Sequence, residues 1–306
     1  MTNTKGQNGL NAVRDGLNAA KVVTMPGAKT KQKTVGQRID SPCGRFFCDA
    51  HGLFRKAPDD NKTDMKLSGP IWIVAETRDT GNNGWGLLLS WTDRDGQQHE
   101  RSFSRAMFTG DCAEIRSQLA DGGLTLQSGP PAKAAFADWL SSISSPERAF
   151  SVDRIGWHSF DEGRVYVLPD AAYGKLKERV VLQTAEQEAN LFGVSGTVED
   201  WQQNIGQFCK GNSRLVLAAS AGFAASLLGL LGVDGGGISF VGASRAGKST
   251  ALLLASSVCG GTPEAGARGY ARSWRSTSNG LESVALASCD ALLPMDEVGQ
   301  LDPKEI

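Results

Sequence analysis

Residues 242–250 read Gly-Ala-Ser-Arg-Ala-Gly-Lys-Ser-Thr, a full match to G-x-x-x-x-G-K-[ST], and this loop restricts the possible folds of the chain more than any other feature. The apolar run ISFVG precedes it and TALLLASSV follows it, so a buried strand is expected before the loop and a helix after it. The residue types suit one class of ligand. A loop that wraps a polyphosphate turns its backbone N–H groups inward, and side chains at Gly242 and Gly247 would obstruct that approach. Lys248 is expected to bridge β- and γ-phosphate oxygens, and the Ser249 hydroxyl to ligate Mg²⁺. Ala243, Ser244, Arg245, Ala246 and Thr250 complete the expected binding loop for ATP, with the Arg245 side chain directed outward and given no chemistry.

A magnesium-nucleotide site needs a second anchor, an acid at the end of a neighbouring apolar strand. Ala291-Leu-Leu-Pro-Met-Asp296-Glu297 has that form, well downstream of Lys248. Asp296 is expected to hold Mg²⁺ through water, and Glu297 to orient and activate the attacking water. An adjacent Asp-Glu pair favours hydrolysis over phosphoryl transfer, because a kinase has no water to activate. Between the two motifs, Asn279 and Glu282 have the spacing of a helix N-cap and its third residue, so a helix is expected there. Arg272 and Arg275 beside Trp274 suit either contact with nucleotide or nucleic acid, or simple packing at a strand end.

With 306 residues the chain is long enough for two ordinary domains. Its 32 Lys+Arg against 33 Asp+Glu exclude a strong bulk attraction to nucleic acid or an acidic membrane. Residues 1–40 hold seven Lys/Arg and two acids with no helical or strand period, and read as a basic flexible tail. Residues 41–195 read as an α+β domain. Within it, IWIVAET, WGLLLSW and QQHERSF form an expected β-meander with turns at 79–84 and 93–96. Two helices follow, over 111–120 and 132–144, the second with Phe136, Trp139, Leu140 and Ile143 on one face. SVDRIGW and RVYVLP are expected to flank a turn at Asp161-Glu162-Gly163, with a further strand over 180–183.

Residues 196–306 make the second domain, opening with two helices, 198–210 and 213–231, separated by Gly211-Asn212. The run Leu215–Leu231 carries no charge and is just long enough to reach the lower edge of a bilayer span, but it is rich in Ala, Ser and Gly. A helix buried on all faces of a soluble domain explains that composition, and no membrane partner is expected. The six cysteines show no repeating spacing and no signal peptide precedes them, so free thiols and a cytoplasmic location are expected. Cys43, Cys48 and His51 would supply most of a zinc site without a convincing fourth ligand, so small side chains in or near a strand are the preferred reading.

Taken together, the phosphate loop, Trp274–Glu282, Leu293–Gln300 and the earlier Asp153-Arg-Ile-Gly-Trp-His158 resemble the bacterial domain-of-unknown-function family numbered 927, from about residue 41 to the end. That resemblance implies an ATPase module of a helicase carried by plasmids, phages or other mobile elements, with DNA as a partner and a ring-shaped homo-oligomer. It also implies an α/β P-loop NTPase domain of the additional-strand, RecA/AAA+-like type, preceded by the α+β domain. Members of such a class place a polar sensor and an arginine finger further along than Ile306, and set the sensor strand between the strand before the phosphate loop and the strand ending at Asp296. On that basis the chain is expected to be a fragment with little turnover of its own. The alternative is a nucleotide-binding or regulatory module without turnover.

Overall fold

A computed structural model describes residues 38–59, 61–184, 192–194, 196–260, 270–274 and 278–296. The chain enters through β1 (Ile39–Asp40), β2 (Phe46–Asp49), β3 (Gly52–Arg55) and β4 (Met65–Ser68), which form an antiparallel sheet in sequential order. Strands of two and four residues are too short for apolar alternation to show in the sequence. The sheet instead declares itself through its turn. Asp49 Oδ1 accepts the backbone N–H groups of His51 (2.8 Å) and Gly52 (3.2 Å), and Gly52 adopts φ +142° where a Cβ would collide with the Ser68 carbonyl.

The expected meander forms from β5 (Ile71–Arg78), β6 (Gly86–Thr92) and β7 (Gln98–Ser104), all antiparallel. Asp93 builds its second turn by accepting from Asp95 N (2.9 Å) and Gln97 N (2.8 Å). Helices α1 (Ala113–Asp121) and α2 (Pro130–Ser142) follow. The α2 stripe of Phe136, Trp139 and Leu140, continued by Ile143, is buried as its spacing predicts, against Phe46, Leu53, Ile71 and Leu87 of the two sheets. Each such large side chain contributes about 1.5–3 kcal/mol on burial, so this cluster holds the first half of the chain together.

Next come β8 (Arg148–Val152), β9 (Gly156–Phe160), β10 (Gly163–Val167), β11 (Ala172–Tyr173) and β12 (Arg179–Leu182). The run SVDRIGW is not one strand. Its Ser151 and Val152 end β8, and Gly156 and Trp157 begin β9, with Gly156 at φ +95° where the chain turns away from one sheet into another. β8 lies parallel to β5, and β12 parallel to β8, giving a five-stranded mixed sheet in the order β12-β8-β5-β6-β7. The buried Glu76 carboxylate ties this sheet together through Arg105 (2.9 Å) and Arg148 (3.1 Å). β9 and β10 pair as the expected hairpin around residues 161–162, with β11 on its far edge.

The remaining elements are α3 (Val198–Asn204), α4 (Ser213–Leu231), α5 (Lys248–Ser257), β13 (Arg272–Ser273), α6 (Ser278–Leu286) and β14 (Met295–Asp296). Thr197 and Asp200 form a reciprocal capping box on α3. Asn212 caps α4 by accepting from Leu215 N at 3.3 Å. On α4, Leu215, Ala218, Ala219 and Gly222 are buried, packing with Ala251, Leu254 and Ala255 of α5. The expectation that α4 is buried all round is corrected here, because Val216, Leu217, Phe223, Leu227 and Leu231 on its other face are exposed. Small residues let α5 approach along one narrow stripe, and the opposite face stays largely exposed, with Phe223 meeting the Trp201 ring of α3 edge-on at 5.7 Å. By length and composition alone α4 is able to cross a membrane.

The expected strand ISFVG is also corrected. Residues 238–241 have no ladder partner among the described residues, and Ile238 and Val241 are 53% and 92% exposed. An extended apolar segment becomes a strand only when a neighbour takes its N–H and C=O groups, and among the described residues β13 and β14 pair with each other.

Candidate functional site

The loop at 242–247 leads into α5 through Gly247, whose left-handed backbone (φ +84°) is the N-cap of the helix. Ala246 N donates to Ala243 O (3.3 Å), closing a turn, and Arg245 also takes a left-handed backbone (φ +63°) with its side chain exposed. Lys248, the first helical residue, folds its ammonium back over the loop, donating to the carbonyls of Gly242 (2.9 Å) and Ala243 (2.8 Å). Ser249 is exposed and Thr250 half-buried on the first turn of α5. The loop therefore presents the open end of a helix, a cation held at its mouth and a hydroxyl beside it, at the solvent surface. An ammonium has three donors and two are engaged here. Loop, lysine and hydroxyl fit a magnesium polyphosphate: the helix end and the cation attract anions, and the hydroxyl is a hard ligand.

Asp296 ends β14, which packs against α5. The two motifs, well separated in the sequence, are thus carried on touching elements. β14 pairs in parallel with β13, Arg272 opposite Met295 and Ser273 opposite Asp296. Arg272 N donates to Pro294 O (2.9 Å), and Trp274 N to Asp296 O (3.3 Å). Tyr270, buried behind them, donates from its hydroxyl to Leu292 O at 2.6 Å, and burial raises its pKa. Glu297, Arg275 and the end of the chain lie outside the described residues. The helix expected from Asn279 begins one residue earlier, at Ser278, so Asn279 sits inside the first turn of α6 and not at its cap.

The zinc reading finds its residues apart. Cys43 lies exposed in the turn after β1, His51 is exposed at the β2–β3 turn, and Cys48 is buried inside β2 where burial pushes its thiol up to about 11. All six cysteines are free thiols.

One residue at this end of the molecule carries no signal in the sequence beyond the tolerance of Asp for turns. Asp290 has a left-handed backbone (φ +52°). Its carboxylate accepts from Trp157 N (2.9 Å) and pairs with Arg154 (3.5 Å), while its carbonyl accepts from Tyr166 Oη (2.8 Å). Trp157 Nε1 also donates to Ser226 O of α4 at 2.7 Å.

Among solved structures, the SCCmec type IV Cch, an active helicase, matches with a TM-score of 0.56 and 22% identity. The alignment covers 78% of this chain and 45% of that one, so the chain spans less than half the length of that protein. The two share a mixed α/β fold. No curated protein matches. Residues 46–306 match the family described as Domain of unknown function (DUF927), and the chain belongs to that family.

Proposed function

We propose that the chain is the nucleotide-binding part of a cytoplasmic, helicase-like ATPase of a mobile element. The observation that carries this is the Gly242–Thr250 loop opening α5, with the Asp296 strand packed on the same helix. Mg²⁺, when bound, supplies positive charge against the β- and γ-phosphate oxygens. Lys248 would swing from the Gly242 and Ala243 carbonyls to the phosphates, Ser249 would hold the metal directly and Asp296 through water, and Glu297 would accept a proton from the attacking water. α4 belongs to this proposed P-loop NTPase domain as a packed helix, since its Leu215–Gly222 stripe is buried on α5. Likeness to the SCCmec type IV Cch, an active helicase, supports DNA as the partner of the whole protein, whose proposed working form is a homo-oligomeric ring.

The test is calorimetry of Mg²⁺-ATP binding to the wild-type chain and Lys248→Ala. Charge-assisted hydrogen bonds contribute about 1.5–3 kcal/mol each. The bonds to phosphate and the two given up at the carbonyls share the ionised donor and offset each other, so the surplus is the attraction between ammonium and phosphate charge, about 1 kcal/mol at ~4 Å in water and about 4 kcal/mol at an effective dielectric of ~20, a loss of roughly 5- to 1000-fold in affinity. Equal affinity in the two proteins sinks the assignment.

A further inference from the structure

The segment Asp153–His158, part of the family resemblance, reaches Asp290 through Arg154 and the Trp157 backbone. Three parts of the chain meet at this one residue. Arg154, in the connection before β9, and the Trp157 backbone within β9 approach together, and a Cβ on Gly156 would lie 2.5 Å from Asp290 Oδ2. From α4 comes Gly229, where a Cβ would collide with Asp290 Oδ1. Tyr166 of β10 takes the Asp290 carbonyl, and its ring meets that of Trp157 edge-on at 5.1 Å. The side chain is 20% exposed. A non-glycine residue keeps a left-handed backbone only where its surroundings over-determine it, and here they come from three sides.

Asp290 stands shortly before Asp296, and the chain between them has no slack. Leu292 O is taken by Tyr270 Oη and Pro294 O by Arg272 N, and β14 then lies on α5. We propose that Asp290 is a positioning residue through which the β9–β10 hairpin holds the acid-bearing strand in place and so sets the Mg²⁺ affinity of the phosphate site. The inference rests on the reading of Asp296 as a Mg²⁺ ligand, and it assigns the Asp153–His158 segment to the metal half of the site. ATP without metal engages the loop and Lys248 and is indifferent to the latch. ATP with Mg²⁺ also needs Asp296 at its post.

The experiment titrates ATP by calorimetry, in EDTA and in Mg²⁺, into wild type, Asp290→Ala and Tyr166→Phe, with Lys248→Ala and Asp296→Asn as references. Tyr166→Phe removes only the hydroxyl on the Asp290 carbonyl and keeps the ring against Trp157, so it serves if Asp290→Ala does not fold. Both latch variants are expected to bind metal-free ATP as the wild type does, and to lose about tenfold of the tightening that Mg²⁺ brings, the scale on which partners of metal ligands act. Asp296→Asn should behave alike, and Lys248→Ala should weaken both titrations. Hydrogen exchange of the Arg272 and Trp274 amides, which donate to Pro294 and Asp296, should quicken in the latch variants. An unchanged Mg²⁺ increment, or an equal loss in EDTA and Mg²⁺, overturns the proposal. Wild type that binds no ATP at all sinks the phosphate-site reading instead. In that case exchange decides the latch: faster amides uphold the positioning of the strand, and unchanged amides overturn it.

Discussion

Gly222 lies where helix α4 packs tightly on the helix that starts at the phosphate loop, and replacing it with alanine separates two opposed effects. Glycine inside a helix costs about 1 kcal/mol relative to alanine, so an α4 with nothing against this face would be stabilised by Gly222→Ala to that extent. In the fold, a Cβ at 222 meets Ala255 O at 2.8 Å and Val258 Cβ and Cγ2 at 3.0 Å each. The first obstacle is a backbone carbonyl of α5 that has no rotamer to retreat into, so the helices must part. Parting opens the contact among Leu215, Ala218, Ala219, Ala251 and Leu254. Overpacking of this kind costs about 1–3 kcal/mol, and less the propensity gain the variant should lose up to about 2 kcal/mol. Leu227→Ala, on the exposed face at 48%, should change stability by less than about 0.5 kcal/mol. Hydrogen exchange of the α5 amides reads both variants locally, without assuming that the whole chain unfolds in one step. A stabilised Gly222→Ala, or a Leu227→Ala as damaging as the glycine variant, would refute this packing of α4.

Two further outcomes concern titratable groups. Burial works against ionisation of the exposed Cys43, but hydrogen bonds from Ser41, the Arg45 backbone and Ser142 outweigh it and bring its pKa down to about 7. Mass spectrometry after brief iodoacetamide treatment near neutral pH should find Cys43 alkylated well before Cys48, whose thiol is held at about 11 by burial, and equal rates would contradict this. His158 has its pKa lowered from 6.5, first by burial and also by the Arg154 charge. The unfolded chain therefore binds this proton more readily than the folded one. The contribution is fully present above pH 6.5 and is lost as pH falls below it through the folded-state value, so Tm should drop across that window and His158→Gln should flatten the drop. An identical pH profile in the variant would remove His158 from the acid response.

Where local chemistry governs, the sequence alone was decisive. The meander of 71–104 follows from β-rich runs set between turn-forming Asp and Gly residues, and the buried face of α2 from its helical spacing. The loop opening α5 follows from glycine positions and the apolar run behind it. Asn212 starts α4 by accepting from Leu215 N with its side chain, a purely local matter. What required the tertiary structure is what depends on distant neighbours. The parallel pairing of β5 with β8 and of β8 with β12 joins segments far apart in the chain, and no period in any one strand encodes it. The apolar run 238–241 reads as a strand until a ladder partner is sought among the described residues and none is found. Leu215–Leu231 is uniformly apolar, so its composition is silent on which stripe packs; the small residues opposite α5 decide that only once the two helices meet. Asp290 shows the same limit most sharply, since its role comes from Gly156 and Gly229, both remote from it in the sequence and brought against one carboxylate by folding alone.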